Sequence, residues 1–368
     1  MGDGYDLVHA QMFHLAGLYK DQLARVKESM SWITMAGRVT QNLLERYKLY
    51  NEQYWSADGD VRSQHMQGQR QIKNKRHNLI VLASWTCVQL ESDILAELKL
   101  PCSGIQGIEN LLLLPNYIAD DGSRQDKDAD LVMYTAQMYL RRRLNQVHRE
   151  VYGPECLDKE KKEVQEILEG HEQILSQWRQ NLPPQMAWDD SNLPPPDILS
   201  ARLRAKYWGA IYIVNRPFLD YALHIMPQVG TGEETVEKVP VDARGHPRHK
   251  AEIHLFRAIK GMYKQETWEA TKRCIEAAMQ STVAFDGVSD RLIVTNIHGT
   301  AYAQFGNMLV LSATYYNPCL EGLIDGEKFK SLLERTIQFL SRLVPILPTC
   351  SKDCDILESI KCLLFGNP

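Results

Sequence analysis

An all-α fold is what this sequence predicts, and three observations predict it. Apolar residues recur at helical spacing through most of the 368 residues. No two runs read as a pair of alternating strands, and Pro and Gly clusters separate the helical runs. One stretch, Ala201 to Ile225, organises the rest. On a wheel of about 100° per residue, Leu203, Tyr207, Ile211, Val214, Phe218, Tyr221 and Ile225 share one face. Ala205, Trp208, Tyr212, Leu219 and Leu223 take the opposite one. A helix apolar on both sides belongs at the centre of a large protein. The expectation is therefore one domain over 1–368, in which antiparallel helices pack around a buried central helix near 199–225. Pro217 should kink that helix, because it lacks a donor and crowds the carbonyl of Ile213.

Taken in order, Leu7, Met12, Leu15, Ala16 and Tyr19 define a first amphipathic helix with Asp6 at its N-cap. A second runs from about Asp21 to Tyr50 on Leu23, Val26, Met30, Ile33, Val39, Leu43 and Leu44, so the two should form a helical hairpin. A third starts near Lys73, carries Leu79, Leu82, Trp85, Leu90, Ile94 and Leu98, and stops at Pro101–Gly104. Residues 115–128 read as a polar loop, followed by helices near Asp130–Arg149 and Leu157–Asn181. Five prolines between Leu182 and Pro196 exclude regular helix there, so 182–196 is a rigid connector, with Asp197 or Ser200 capping the central helix. Residues 227–250, rich in Pro, Gly, Glu and Lys, are expected to form a mobile surface loop. Helices return around Trp268–Met279, Leu292–Tyr315, Phe329–Leu343 and Ile356–Phe365.

Composition narrows the function. Charged residues at 24% and apolar residues at 44% are ordinary globular values. A net charge of −4 and a pI near 6.3 argue against a free-standing nucleic-acid binder. The basic groups Lys73–Arg76, Arg141–Arg143 and Arg244–Lys250 are read as solvated faces or loops. Nothing at the start resembles a signal peptide or a myristoylation site, and no run approaches the roughly 20 apolar residues of a membrane span. Eight scattered cysteines are then expected as reduced thiols in an intracellular protein.

No HExxH, GxSxG or P-loop occurs, and Gly230 and Gly232 meet only two positions of a dinucleotide fingerprint. The pairs Asp120–Asp121 and Asp189–Asp190 lack a third acid in helical register. Cys350, Cys354 and Cys362 have no second half for a zinc site, and His298 reads as a packed core histidine. No catalytic, cofactor-binding, metal or DNA-binding residue is assigned. Arg216 raises a question, since a guanidinium beside Tyr212 and Leu219 is costly if buried alone. An ion pair with Asp220, a contact to carbonyls freed by Pro217, and an anionic effector site all remain open.

RLRAKYWGAIYIVNRPFL resembles the R-x(2-3)-Y-W-x-hydrophobic-RPFL signature in the middle region of fungal-specific transcription factors, the binuclear zinc-cluster (Zn2Cys6) regulators. Blocks at 16–43, 85–105, WRQNLPP (178–184), CIEAAMQST (274–282) and 305–318 agree in order, so the resemblance covers about 7–365. It implies an all-helical regulatory domain of a nuclear transcription factor. Such a domain responds to a small-molecule effector or to protein partners of the transcription machinery. The family's six-cysteine cluster, its linker and coiled coil, and an activation tail are absent from this chain. DNA recognition is therefore carried to no residue, and zinc is expected only in a missing N-terminal cluster. No direct nucleic-acid contact and no membrane contact are expected, and a homodimer is one option. Two situations fit: a regulatory part of a longer activator, or a stand-alone helical small-molecule-binding protein or enzyme derived from that domain.

Overall fold

The computed structural model describes residues 5–50, 72–96, 98, 100–116, 129–225, 246–288 and 297–366. Over these residues the all-α class holds: eleven α-helices and short 3-10 turns, no strand, and an isolated antiparallel bridge between Tyr50 and Leu112. No helix among them is long and apolar enough to cross a membrane. Most of the loops expected at 115–128 and 227–250, with Gly230 and Gly232, lies outside the described residues. The chain divides into two compact units, Met1–Arg142 with Thr295–His298, and Arg143–Val294 with Gly299–Pro368.

The first unit begins with α1 (Leu7–Gln22) and α2 (Val26–Tyr47), packed together as the expected hairpin. Asp6 caps α1, accepting from the Leu7 N–H at 2.6 Å while its own N–H donates to His9 Nδ1 at 3.1 Å. The link closes on Ala24, held at φ 57, with the Arg25 N–H donating to the Lys20 carbonyl at 2.9 Å. This left-handed closure is usually made by glycine. At Gly17 a Cβ would meet Ile33 Cδ1 at 2.5 Å, so the bare backbone sets how closely the two helices approach.

One expectation for α1 is overturned. Leu7, Ala10, Phe13, His14 and Gly17 are buried, whereas Met12, Leu15 and Tyr19 are 50%, 69% and 62% exposed. The helix is apolar on both sides, and the side with small residues wins the contact with α2 because it allows closer packing.

Beneath the hairpin lies α3 (Lys75–Leu95), capped by Asn74 through the Arg76 N–H at 2.8 Å. Its Ile80, Val81, Trp85 and Val88 join Phe13, Val39, Leu43 and Leu44 in a core. The Trp85 indole N–H donates to the Leu113 carbonyl at 2.8 Å. Glu91, fully buried, accepts from the Ser103 N–H at 3.1 Å and so ties down the turn that ends the helix. α4 (Ala129–Val147) starts in this unit. Arg141, read from sequence as part of a solvated face, is buried and paired with Asp93.

The second unit continues through a π-helical turn (His148–Tyr152) and a 3-10 turn (Pro154–Asp158) into α5 (Lys161–Gln180) and α6 (Ile198–His224). α7 (Lys250–Lys260), α8 (Lys264–Val283), α9 (Ile297–Tyr316), α10 (Gly326–Leu343) and α11 (Thr349–Phe365) complete it. α6 is central to this unit as predicted: Leu203, Tyr207, Ile211, Val214, Phe218, Tyr221 and Ile225 are all buried. On its opposite side Ala205 and Leu219 are buried, while Trp208, Tyr212 and Leu223 are half-buried. Its main partner is α8, with α5 and α7 beside it. Ala201, Ala210, Ala270, Ala277 and Ala278 keep their contact surfaces small, which permits a close helix pair. Sequence reading missed α7, whose Leu255, Phe256 and Ile259 are buried behind a His249 N-cap. Rings of Tyr315, Phe329 and Phe365, with centroids 5.4–6.0 Å apart, join α9, α10 and α11.

Asp21 yields a pH prediction. It is 4% exposed, and burial, reinforced by the Asp93 charge, pushes its carboxyl up to about 6. Its folded value thus exceeds the unfolded one of about 4. The native state binds the extra proton, so stability declines as pH rises from about 4 to about 6. Asp21→Asn should raise stability by about 1–3 kcal/mol at pH 7.5 and have little effect near pH 4. Urea unfolding at both pH values checks this.

Candidate functional site

Pro217 sits inside α6 and cannot donate to the Ile213 carbonyl. The Tyr152 hydroxyl, delivered by the π-helical turn, donates to that carbonyl at 2.6 Å. One residue earlier, the Cys274 thiol of α8 donates to the Tyr212 carbonyl at 3.7 Å, and one before that Asn215 Nδ2 donates to the Ile211 carbonyl at 3.1 Å. The segment before Pro217 is therefore held by side chains of the π-helical turn, of α8 and of α6 itself. Arg216 plays no part in this. It is 52% exposed and reaches Asp220 at 3.3 Å, a surface ion pair. Burial raises the Asp220 carboxyl against the pull of Arg216. Arg216 is therefore not the buried cation the sequence raised: its side chain is on the surface, and Tyr152 takes the freed carbonyl.

Toward its other end α6 meets the connector. Asp197 caps the helix through the Ser200 N–H at 2.8 Å. Arg179, at the end of α5, makes paired hydrogen bonds to Asp190 at 2.7 and 3.0 Å and a third to the Trp188 carbonyl at 3.2 Å. Its guanidinium lies 4.9 Å from the Trp188 ring and 5.4 Å from both Tyr207 and Trp208, within cation–π range. Trp178 stacks on Tyr207 at 6.0 Å. Arg204, 2% exposed, donates to the Asn192 carbonyl at 3.3 Å and to Gln280 Oε1 at 3.2 Å, joining connector to α8. A Cβ at Gly287 would come within 2.4 Å of the Pro194 carbonyl oxygen, so the prolines rest directly on backbone. The connector is rigid because it is clamped, and Asp190 serves that clamp. Asp189 instead accepts from Ser191, through its N–H at 2.9 Å and its hydroxyl at 2.6 Å.

Between α5, α6 and α8, beside the Pro217 segment, is a cavity of ≈ 240 Å³. Leu168, Val214, Phe218, Met262 and Ala270 make its apolar wall. Glu169, Glu172, Glu266 and Glu269 bring four carboxylates to it against one guanidinium, Arg273, which pairs with Glu172 at 2.6 Å. Asn215 also lines it; the residue is 1% exposed and its Oδ1 accepts no hydrogen bond within the protein. The lining contains no Ser, Cys, His or Lys. Its chemistry suits a compact apolar group bearing a positive charge, held by carboxylates at the mouth.

No group of three or more His, Cys, Asp or Glu among the described residues is arranged to hold a metal ion. Cys350 is buried, Cys354 half-buried and Cys362 exposed on α11, and all eight cysteines are free thiols. His298 is half-buried on α9. Tyr152, Arg179, Arg204 and Asn215 were not singled out from sequence. Arg179, Arg204 and Asn215 lie within the blocks that carry the resemblance, and Arg204 opens the R-x(2-3)-Y-W pattern; Tyr152 left no such signal.

Two substitutions separate the hydrogen bond that serves Ile213 from the exposed charge of Arg216. Tyr152→Phe leaves the Ile213 carbonyl without its donor and should cost about 1–2 kcal/mol. Arg216→Ala should cost under about 1 kcal/mol, as for other exposed pairs. Chemical denaturation of the two variants beside the parent checks the order. A scan against protein-family models finds no match to this chain, and searches of curated proteins and of solved structures find none either.

Proposed function

We propose that this chain is the regulatory domain of a fungal Zn2Cys6-type transcription factor, responsive to an effector or a partner and acting in the nucleus. It carries no DNA-binding cluster within these residues and makes no direct contact with nucleic acid. One observation supports the reading most. Three of the blocks that carry the resemblance, far apart in sequence, meet around α6. Trp178 and Arg179 of WRQNLPP stack on Tyr207 and Trp208 of the central signature. Ser281 of CIEAAMQST donates to the Ala205 carbonyl at 3.3 Å, and Cys274 of the same block donates to that of Tyr212. The three blocks thus belong to one packed unit, as a single regulatory region requires.

The alternative is a stand-alone helical small-molecule-binding protein or enzyme derived from that domain. The cavity beside Asn215 favours its binding form, and it also supplies the regulatory reading with a place for an effector. Fusion of the chain to a heterologous zinc-cluster DNA-binding module tests the proposal through a reporter gene. Reporter output should change several-fold relative to the module alone, and the unfused chain should not retard DNA at physiological salt. Output identical to the module alone under every nutrient condition would overturn it. Small apolar amines then probe the cavity by thermal shift, where a bound ligand in excess should raise the melting temperature by a few degrees.

A further inference from the structure

α1 uses only one of its two apolar sides within the first unit. The other presents Val8 (67% exposed), Met12, Leu15 and Tyr19, with Tyr5 (48%) and Leu23 (39%) at its ends. Their spacing of four, three and four residues is that of a helix-pairing seam. No Asp, Glu, Lys or Arg occurs between Asp6 and Lys20. The charges that bracket the seam are already matched inside the chain, Asp6 by Arg76 and Lys20 by Glu28 at 2.6 Å. Gln11 is exposed at the border of the seam, whereas His14 faces inward onto Cys87 at 2.9 Å, where burial lowers it to about 4. An exposed, charge-depleted face rich in Met and Tyr has the composition of an interface core.

We infer that this face is a homotypic interface, in which α1 of one copy packs antiparallel on α1 of a second copy about a two-fold axis. The register supports that occupant over others. In the antiparallel arrangement Val8 faces Tyr19 of the second copy and Met12 faces its Leu15, so all four positions are matched at once. The smallest side chain then lies against the largest at both ends. A parallel pair would set Tyr19 on Tyr19 and Val8 on Val8, crowding one end and leaving a gap at the other. Antiparallel helix dipoles also attract, and a two-fold contact closes on itself without growing into a filament. The size sets the strength. A wholly buried aromatic contributes about 150–250 Å², so half-exposed side chains across the seam offer on the order of 500 Å² per copy, about 1,000 Å² in all. That lies at the lower edge of specific interfaces, so the pair is weak and dissociates on dilution. This inference is independent of the regulatory reading.

Sedimentation of the 368-residue chain over a concentration series tests it, with Val8→Glu and Tyr19→Lys made separately. The parent should shift from monomer to dimer over micromolar concentrations. Each variant should stay monomeric with a melting temperature within about a degree of the parent, as expected for exposed sites. Mixing the two variants should restore a dimer, because the carboxylate introduced at 8 then faces the ammonium introduced at 19. A parent that is monomeric throughout overturns the proposal, as does a dimer that either variant leaves intact. A large drop in melting temperature in either variant also overturns it, since it means that another part of this chain covers the face. Failure of the mixture to dimerise overturns the antiparallel register.

Discussion

Pro217 takes one donor out of the middle of α6, and the Ile213 carbonyl must find a hydrogen elsewhere or remain unpaired inside the protein. Tyr152 supplies it from 61 residues away in sequence, and that requirement reaches well beyond one hydrogen bond. To present its hydroxyl there, the chain after α4 leaves α-helical winding for a π-helical turn, a local expansion that often marks functional places. The turn fixes where the 3-10 segment and then α5 begin, and α5 forms one wall of the cavity. The proline thus ties the central helix, through Tyr152, to the placement of the elements that line the pocket beside it.

The two ends of α6 use charge in opposite ways. Near the connector, Arg204 is buried with a carbonyl and an amide oxygen as its hydrogen-bond partners, and burial lowers it from the usual arginine value. A cation so placed is tolerated because neutral acceptors and the nearby Asp190 and Asp189 charges offset its lost hydration. Near Pro217 the surplus is negative, with four carboxylates and an unpaired amide oxygen around one cavity. One helix thus runs from a buried cation, bonded through its two terminal nitrogens, to an acceptor-rich hollow.

Much of the fold was legible because helical spacing, caps and proline clusters act locally. Asp6 and Asp197 cap where they were expected to, the 182–196 connector is non-helical, and α6 buries one side wholly and the other in part. What was not legible depends on distant partners. Arg141 reads as one of three surface arginines until Asp93, 48 residues away, is brought beside it. The sides of α1 cannot be told apart when both are apolar; only packing against Gly17 and Ile33 decides. α7 is short and follows a basic run, and its 11 residues hold too few turns for the spacing of Leu255, Phe256 and Ile259 to stand out. The cavity was invisible for a similar reason. Its glutamates look like ordinary solvated helix residues, and Asn215 is marked only by what it fails to bond.

The clamp on the connector has an optical consequence. Trp178, Trp188 and Trp208 lie around Tyr207, with the Arg179 guanidinium against two of the three indoles, while Trp85 is sealed in the other unit's core. An indole beside a cation and another ring emits differently from one released into water. Any event that lifts the proline segment off α6 would therefore change the colour and yield of the chain's own fluorescence. The protein carries a built-in gauge of that joint, and no dye has to be attached to read it.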